Sequence, residues 1–146
     1  MTDLTTLANS VQDTDPADAG TYDMLRNALA AVPGVRGLVL LSNDGIPKAA
    51  FGVELDDAQR ITAACSGMAS LADHLSNGVG GGPVLHTVVS MRQRSIVVTS
   101  CGRNSTLCVA LDSTTPIGLA MMEITRTARA YAEQMGTRSR PDLPAR

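Results

Sequence analysis

The feature that most constrains the fold is a nearly unbroken apolar run, residues 36–42, with helix-ending and turn-forming residues on its two sides. Pro33-Gly34 precedes the run, and proline cannot continue a helix, whereas glycine tolerates the reversed backbone of a helix end. Asn43-Asp44-Gly45 follows the run, and these residue types accept the positive φ of tight turns. The run therefore predicts a buried strand between a helix and a turn, and the turn accounts for Asp44 better than catalysis does.

The elements on either side of this strand alternate in the same way. We predict a helix over about 19–32 and a second strand over about 47–53, on which Lys48 is exposed. A long helix over about 56–76 and a glycine-rich connector over 77–83 follow. Three closely spaced strands, over about 84–91, 95–101 and 106–112, indicate antiparallel hairpins. A last helix runs from about 116 to 134. Its predicted buried stripe consists of Ile117, Met121, Ile124, Ala128 and Tyr131, and that of the first helix of Leu25, Ala28, Leu29 and Val32.

The long middle helix has two distinctive faces. Asp56 is a good N-cap candidate, since aspartate accepts hydrogen bonds from the first free amides of a helix. One face, predicted to lie on a sheet, carries Ile61, Cys65, Met68, Ala72 and Leu75. The other face is unusually small, with Ala63, Ser66, Gly67 and Ser70. Small residues let two helices approach closely, so this face indicates a homodimer interface, although a merely alanine-rich helix is the alternative.

This element order predicts an α+β fold with one five-stranded antiparallel sheet and helices on both faces. The first and last helices are the natural cover for one face of the sheet. A chain of 146 residues is long enough for a single domain with an ordinary core. We assign that domain to residues 18–135, with a flexible tail over 1–17 and a flexible, basic tail over 136–146.

Composition argues against several classes of function. The net charge is −2 and the chain has one Phe, two Tyr and no Trp, so neither a basic patch nor stacking platforms for nucleic acid are expected. Three cysteines, with no leader and no apolar span of membrane length, are typical of a cytoplasmic protein with reduced thiols. No spacing of Cys, His and Asp resembles a metal site. We therefore expect no cofactor, no metal and no nucleic-acid partner.

No catalytic motif emerges from the remaining candidates. The run Gly80-Gly81-Gly82 precedes a strand and lacks the Gly-Lys-Ser/Thr of a phosphate loop. Cys101 and Cys108 flank a turn symmetrically, so a redox pair facing across a hairpin is conceivable, but small buried side chains are the simpler interpretation. Cys65 is interpreted as a core thiol. His74 and His86 are interpreted as surface histidines, and Arg92, Arg94 and Arg103 as solvated turn residues or as a contact for an acidic partner surface.

Residues 32–52, VPGVRGLVLLSNDGIPKAAFG, followed by DDAQRITAACSGMASLADHL, resemble the Roadblock (dynein light-chain) domain. The later GGGPVLHTVVSMRQRSIVVTSCG and NSTLCVALDSTTPIGLAMMEITRTARAYAEQM continue the resemblance, which covers about 19–135. The chain is most similar to small actinobacterial Roadblock proteins of the conservon type, which accompany a sensor-kinase-like protein and a Ras-like GTPase. The ordered set of segments is fairly specific, whereas each segment alone is weak.

The resemblance implies two helices on one sheet face, the middle helix on the other, and a homodimer with a continuous ten-stranded sheet. It thereby places Ala63, Ser66, Gly67, Ser70, Val84, His86 and Val88 at the dimer interface. It also implies a non-enzymatic, cytoplasmic regulator, GTPase-activating-like, of a small Ras-like GTPase, held at the membrane only through partners such as the sensor-kinase-like protein. A scaffold that leaves hydrolysis unaltered is the alternative, and a small thiol enzyme using Cys101 or Cys108 is a third.

Overall fold

The computed structural model of the chain describes residues 3–11, 16–102 and 104–138, with the backbone alone at 16–17 and 137–138. After a short 3-10 turn, Leu4–Thr6, three helices and five strands follow one another in the predicted order. They are α1 (Pro16–Ala30), β1 (Val35–Ser42), β2 (Pro47–Phe51), α2 (Leu55–Val79), β3 (His86–Ser90), β4 (Arg94–Ser100), β5 (Ser105–Asp112) and α3 (Ile117–Arg138).

The strands form one antiparallel sheet in the order β2-β1-β5-β4-β3, which confirms the predicted fold class. The predicted apolar run is β1, and it lies inside the sheet, where Val39 is opposite Ala50 of β2 and Cys108 of β5. A strand covered on both faces has no need of polar alternation, which explains why this run is apolar throughout. The two edge strands are β2 and β3.

Helices cover the two faces of the sheet as the resemblance implies. Leu38 and Leu40 of β1 belong to a core cluster with α1 and α3, while Val39 and Leu41 belong to a second cluster with α2. Successive strand residues point to opposite faces, so a single strand supplies both cores. The α3 stripe is confirmed, since Ile124, Ala128 and Tyr131 are buried. Leu25 and Leu29 of α1 line the core as predicted, Val32 is buried just after the helix ends, and Ala28 is exposed.

Helix α2 differs from the prediction at both ends. Its N-cap is Glu54, which makes no side-chain capping bond, and Asp56 lies in the first turn instead. An acidic first turn still favours the positive end of the helix dipole. The predicted sheet-facing stripe holds at Cys65, which is buried, but fails at Leu75, which is exposed. Helical periodicity marks an apolar face, and it does not show where along that face the sheet stops.

Part of the predicted N-terminal tail, residues 3–11, packs against the fold, while residues 1–2 and 12–15 lie outside the described residues. Residues 3–11, named the arm below, lie against β2: the Ser10 amide donates to the Ala50 carbonyl (2.9 Å), and Leu4 is buried in the α1–α3 core. Helix α1 also begins earlier, at Pro16. The arm is polar in composition, which favours a tail, but its few apolar side chains find cover on the sheet. At the other end α3 continues to Arg138, and the remainder of the predicted C-terminal tail, 139–146, lies outside the described residues.

Lys48 is also placed differently from its prediction. It is half buried on β2, and its Nζ donates to Ser105 Oγ (2.7 Å) on β5. The amine reaches across β1, which lies between the two strands. A long apolar stem with a polar tip allows lysine to lie along a partly buried surface in this way.

Candidate interaction surface

Six exposed large apolar side chains of the described residues lie on the C-terminal half of α2 and around β3, while Leu119 and Met122 of α3 and Ile46 before β2 are among those exposed elsewhere. Leu75 is 70% exposed, Val79 is 81% exposed and Leu85 is 76% exposed. α2 contacts β3, so these side chains lie on neighbouring elements. Scattered exposed leucines are ordinary, but a group of them on adjoining elements indicates an interaction site. We name this group the α2–β3 surface; it comprises Leu71, Leu75, Val79, Leu85, Val88 and Met91.

The predicted interface residues lie on or beside this surface. On α2, Ala63, Gly67 and Ser70 are exposed, and a Cβ at Gly67 would meet no atom within 4 Å. On and before β3, His86 and Val88 are exposed, and Val84 is half buried. The helix therefore presents an open, small-residue face next to an apolar strand. These side chains remain a predicted interface.

Ser66 is the exception among the predicted α2 residues. It is half buried, and its Oγ is buried without a hydrogen-bond partner among the described residues. That oxygen faces the turn after β1, because a Cβ added to Gly45 would lie 3.3 Å from it. Ser66 therefore packs within its own chain, and the outward small face begins with Ala63 and Gly67.

Leucines on α2 are the interface candidates that the sequence analysis missed. Leu71, Leu75 and Val79 recur every four residues, which is a helical stripe that continues beyond the buried part of the helix. The signal is present in the sequence as a second apolar line beside the small face. The prediction places Leu75 on the sheet because it treats the whole apolar stripe as one contact. In α2 that stripe is buried at Cys65 but exposed at Leu75.

The outer edge of β3 is the polar half of this surface. β3 pairs with β4 on one side, from His86 opposite Thr99 to Ser90 opposite Ser95. No strand of the described part of the chain pairs with its other side. An edge strand presents a row of unpaired N–H and C=O groups that can pair with another chain. Apolar side chains and an open backbone edge thus occur together.

A separate groove of about 920 Å³ lies beside the arm. At one end Arg36 Nε donates to both carboxylate oxygens of Asp112 (2.9 Å each), and Arg94 Nη1 lies 3.3 Å from the same carboxylate. The hydrogen bond from Arg36 holds the pKa of Asp112 below its usual value, and Asp112 in turn raises the pKa of Arg36. Arg94 is thus an ion-pair partner and not a free turn residue; Arg92 is exposed, and Arg103 lies outside the described residues.

The cysteines do not form the hairpin pair that we considered. Cys101 is buried in the α1–α3 core, whereas Cys108 is buried on the opposite sheet face in contact with α2. Burial raises the pKa of the Cys101 thiol to about 12. The hydrogen bond with Cys65 raises the pKa of Cys108 and lowers that of Cys65. A thiol is nucleophilic only as the thiolate, so buried thiols with raised pKa values are poor candidates for catalysis.

Two further kinds of site are absent from the described residues. No group of His, Cys, Asp and Glu in this part of the chain is placed to hold a metal ion. None of the helices described combines the length and hydropathy needed to cross a bilayer. His74 and His86 are both exposed, on α2 and on β3.

Known proteins agree with this architecture. The family model of the Roadblock/LC7 domain matches residues 21–111. A Roadblock/LC7 domain from Streptomyces avermitilis is 25% identical, with a TM-score of 0.70, over 75% of this chain and 92% of that one. The gliding protein MglB from Thermus thermophilus has a TM-score of 0.70 at 17% identity, over 87% of this chain and 98% of that one. MglB from Myxococcus xanthus has a TM-score of 0.68 at 16% identity, over 81% and 86%.

At 17% and 16% identity, the two MglB structures show that the fold is similar and nothing more. No curated protein matches the chain. The matched residues 21–111 nevertheless make up more than half of the chain and run from α1 to the end of β5. Together with the observed order of helices and strands, they show that the chain belongs to the Roadblock/LC7 domain family.

Proposed function

We propose that the chain is a non-catalytic regulatory module that forms a homodimer through the α2–β3 surface and binds a small Ras-like GTPase. The observation that carries the proposal is the exposed apolar stripe of α2 beside the open edge of β3, in a chain of the Roadblock/LC7 family. The setting proposed for it is a bacterial signalling complex of the conservon type, which includes a sensor-kinase-like membrane protein.

The physical argument for a homodimer is that one surface can satisfy itself. A two-fold axis beside β3 would pair two β3 edges and give each backbone group a partner. The same axis would bring the two α2 helices together at Ala63, Gly67 and Ser70, whose small side chains permit close approach. Leu71, Leu75 and Val79 would then be covered by the partner. Burying such side chains contributes roughly 1.5–3 kcal/mol each.

We propose a regulator rather than an enzyme because the candidate reactive side chains are buried or already paired. Cys101 and Cys108 are buried with raised pKa values, and Arg36 and Arg94 are held by Asp112. A rigid dimer can still change a GTPase by favouring one arrangement of the GTPase's own switch loops. In that mechanism the bond-breaking groups belong to the partner.

The test is binding to a small Ras-like GTPase of a conservon-type system, measured by calorimetry in its GDP state and with a non-hydrolysable GTP analogue. We expect binding with a preference for one nucleotide state, since a regulator must distinguish the two states. No binding in either state would contradict the proposal. A GTPase from an unrelated gene cluster is the control for non-specific association.

Single-turnover GTP hydrolysis, with and without the chain, then separates regulation from scaffolding. We expect the hydrolysis rate constant to change when the chain is added at saturating concentration. Binding with an unchanged rate constant, and unchanged nucleotide exchange, would instead identify the chain as a scaffold that links GTPase and sensor-kinase-like components.

A further inference from the structure

The other edge of the sheet, β2, is occupied by the chain's own N-terminal arm. The Ala50 amide donates to Asn9 Oδ1 (2.8 Å), and the Ala50 carbonyl accepts from the Ser10 amide (2.9 Å). Ser10 Oγ donates to the Val53 carbonyl (2.8 Å) just beyond the strand. The Asn9 side-chain oxygen and the Ser10 backbone N–H thus bond to Ala50 as the C=O and N–H of a neighbouring strand would.

Side chains on both faces of the sheet anchor the arm. Leu4 is buried in the α1–α3 core, and Leu7 packs against the same cluster. Val11 packs against the α2 cluster on the opposite face, so the arm crosses the edge of β2. Arg26 of α1 reinforces it, donating from Nη1 to the Leu7 carbonyl (3.0 Å).

The arm is a short and separate unit. Its hydrogen bonds with β2 involve Asn9 and Ser10. Its apolar anchors are Leu4, Leu7 and Val11. Segments with few buried contacts open at a lower free energy than the core does. Removing or releasing the arm would return the N–H and C=O of Ala50 to an open edge.

We propose that the arm guards the β2 edge against a second copy of this chain, so that association is confined to one edge. Without the arm, β2 of one copy pairs with β2 of another. Where the β3 edge also associates, as in the proposed function, every copy then has two pairing edges and the assembly grows as an open chain. Where the β3 edge does not associate, loss of the arm yields a dimer.

The experiment measures mass by light scattering over a range of concentrations in four proteins. They are the full chain, an arm-less variant that begins at Gln12, Val88→Lys, and the two changes combined. We expect the full chain to be a dimer and the arm-less variant to form larger species whose mass rises with concentration. We expect Val88→Lys to be a monomer and the combined variant to be a dimer. If the arm-less chain has the native circular dichroism and the same mass as the full chain, the proposal is wrong.

The combined variant separates this proposal from the proposed function. If the full chain is a monomer, β3 association is contradicted; the guard proposal then stands only if removal of the arm turns monomer into dimer.

A peptide of residues 3–11, added to the arm-less chain, should restore the mass of the full chain. A peptide of the same composition in scrambled order should not; equal effects of the two peptides would contradict a specific guard.

Removing the arm also uncovers core surface, so a milder variant is needed in case the arm-less chain does not fold. Asn9→Ala keeps the side chains of Leu4, Leu7 and Val11 but removes the oxygen that accepts from both the Ala50 and the Val11 amides. We expect hydrogen exchange at the Ala50 amide to become about fivefold faster, which corresponds to one lost hydrogen bond. Thr5→Ala, an exposed change within the arm, is the matched control. An unchanged exchange rate in Asn9→Ala would overturn the proposal.

Discussion

The two edge strands of this sheet differ in how far they are covered. β2 carries Pro47, a register shift where it meets β1, and the arm bonded to Ala50. β3 carries exposed Val88 and has no pairing segment on its outer side among the described residues. Proline, irregular pairing and a covering segment are the means by which proteins block an edge. A sheet with one blocked and one open edge can form a closed pair, whereas two open edges permit indefinite growth.

The helix layers repeat this asymmetry. Beside β2, Leu4 of the arm shares a core cluster with Phe51, and the Arg26 guanidinium lies 5.3 Å from the Phe51 ring centroid. Beside β3, the end of α2 leaves Leu75 and Val79 exposed. Phe51 of β2 is thus buried, although Ile46 before β2 is 59% exposed, whereas several apolar side chains beside β3 are exposed together. This difference supports the proposal that a second copy of the chain binds at β3.

The largest expected effect is on the open edge. Val88→Lys puts a charge on β3, and two-fold pairing would bring two copies of that charge close together. We expect the proposed dimer to dissociate, so that the mass measured by light scattering halves at micromolar concentration. Leu119→Lys, at an exposed position on α3, is the matched control and should leave the mass unchanged. Equal masses for the two variants would place the interface elsewhere.

Gly67→Leu tests the helix half of the same surface. No atom lies within 4 Å of a Cβ at Gly67, so the single chain can accept the larger residue. We expect a less stable dimer and a more stable monomer, by about 1 kcal/mol, because leucine is the better helix former. Urea unfolding at several protein concentrations measures both. Gly118→Leu, also with open space around it, should stabilise without changing the mass; an intact Gly67→Leu dimer would exclude close helix contact there.

Gly52→Ala tests the closed edge, where space is lacking. Gly52 follows β2 with φ +73°, and a Cβ there would lie 2.5 Å from the Arg36 carbonyl oxygen. We expect a loss of about 1–3 kcal/mol in the free energy of unfolding, because backbone strain and a backbone clash add. Gly20→Ala, which meets nothing within 4 Å in α1, is the control. Equal free energies of unfolding for the two variants would mean that the backbone at Gly52 can move away from the Arg36 carbonyl.

The smallest expected effect concerns the ion pairs beside the arm. The pKa of Asp112 is lowered in the folded chain, so its contribution to stability is present above its unfolded pKa, near 3.8, and is lost as pH falls through the folded value. Asp112→Asn should therefore lower the Tm slightly at pH 7, and the Tm difference from the unaltered chain should vanish at strongly acidic pH. Calorimetry at both pH values measures this. A difference that persisted in acid would point to packing rather than charge.

Most of the fold could be predicted because each element has a local cause. The apolar run before Asn43-Asp44-Gly45 dictated a buried strand and turn, and the period of α3 identified the side chains that it buries. The candidate interface was partly predictable for the same reason, through the small face around Gly67. Errors arose where local pattern and tertiary contact differ, as at Leu75, which shares a helical stripe with Cys65 but lies beyond its cover.

What the sequence by itself determined was the type and order of the elements, since backbone propensity and hydrophobic period are properties of neighbouring residues. Only the tertiary structure decided which sheet edge is covered. Asn9 and Ala50 are far apart along the chain, and a polar segment that bonds to an edge strand has the composition of a tail. It likewise decided that Cys101 and Cys108 lie on opposite faces, because the end of β4 and the register of β5 set their directions.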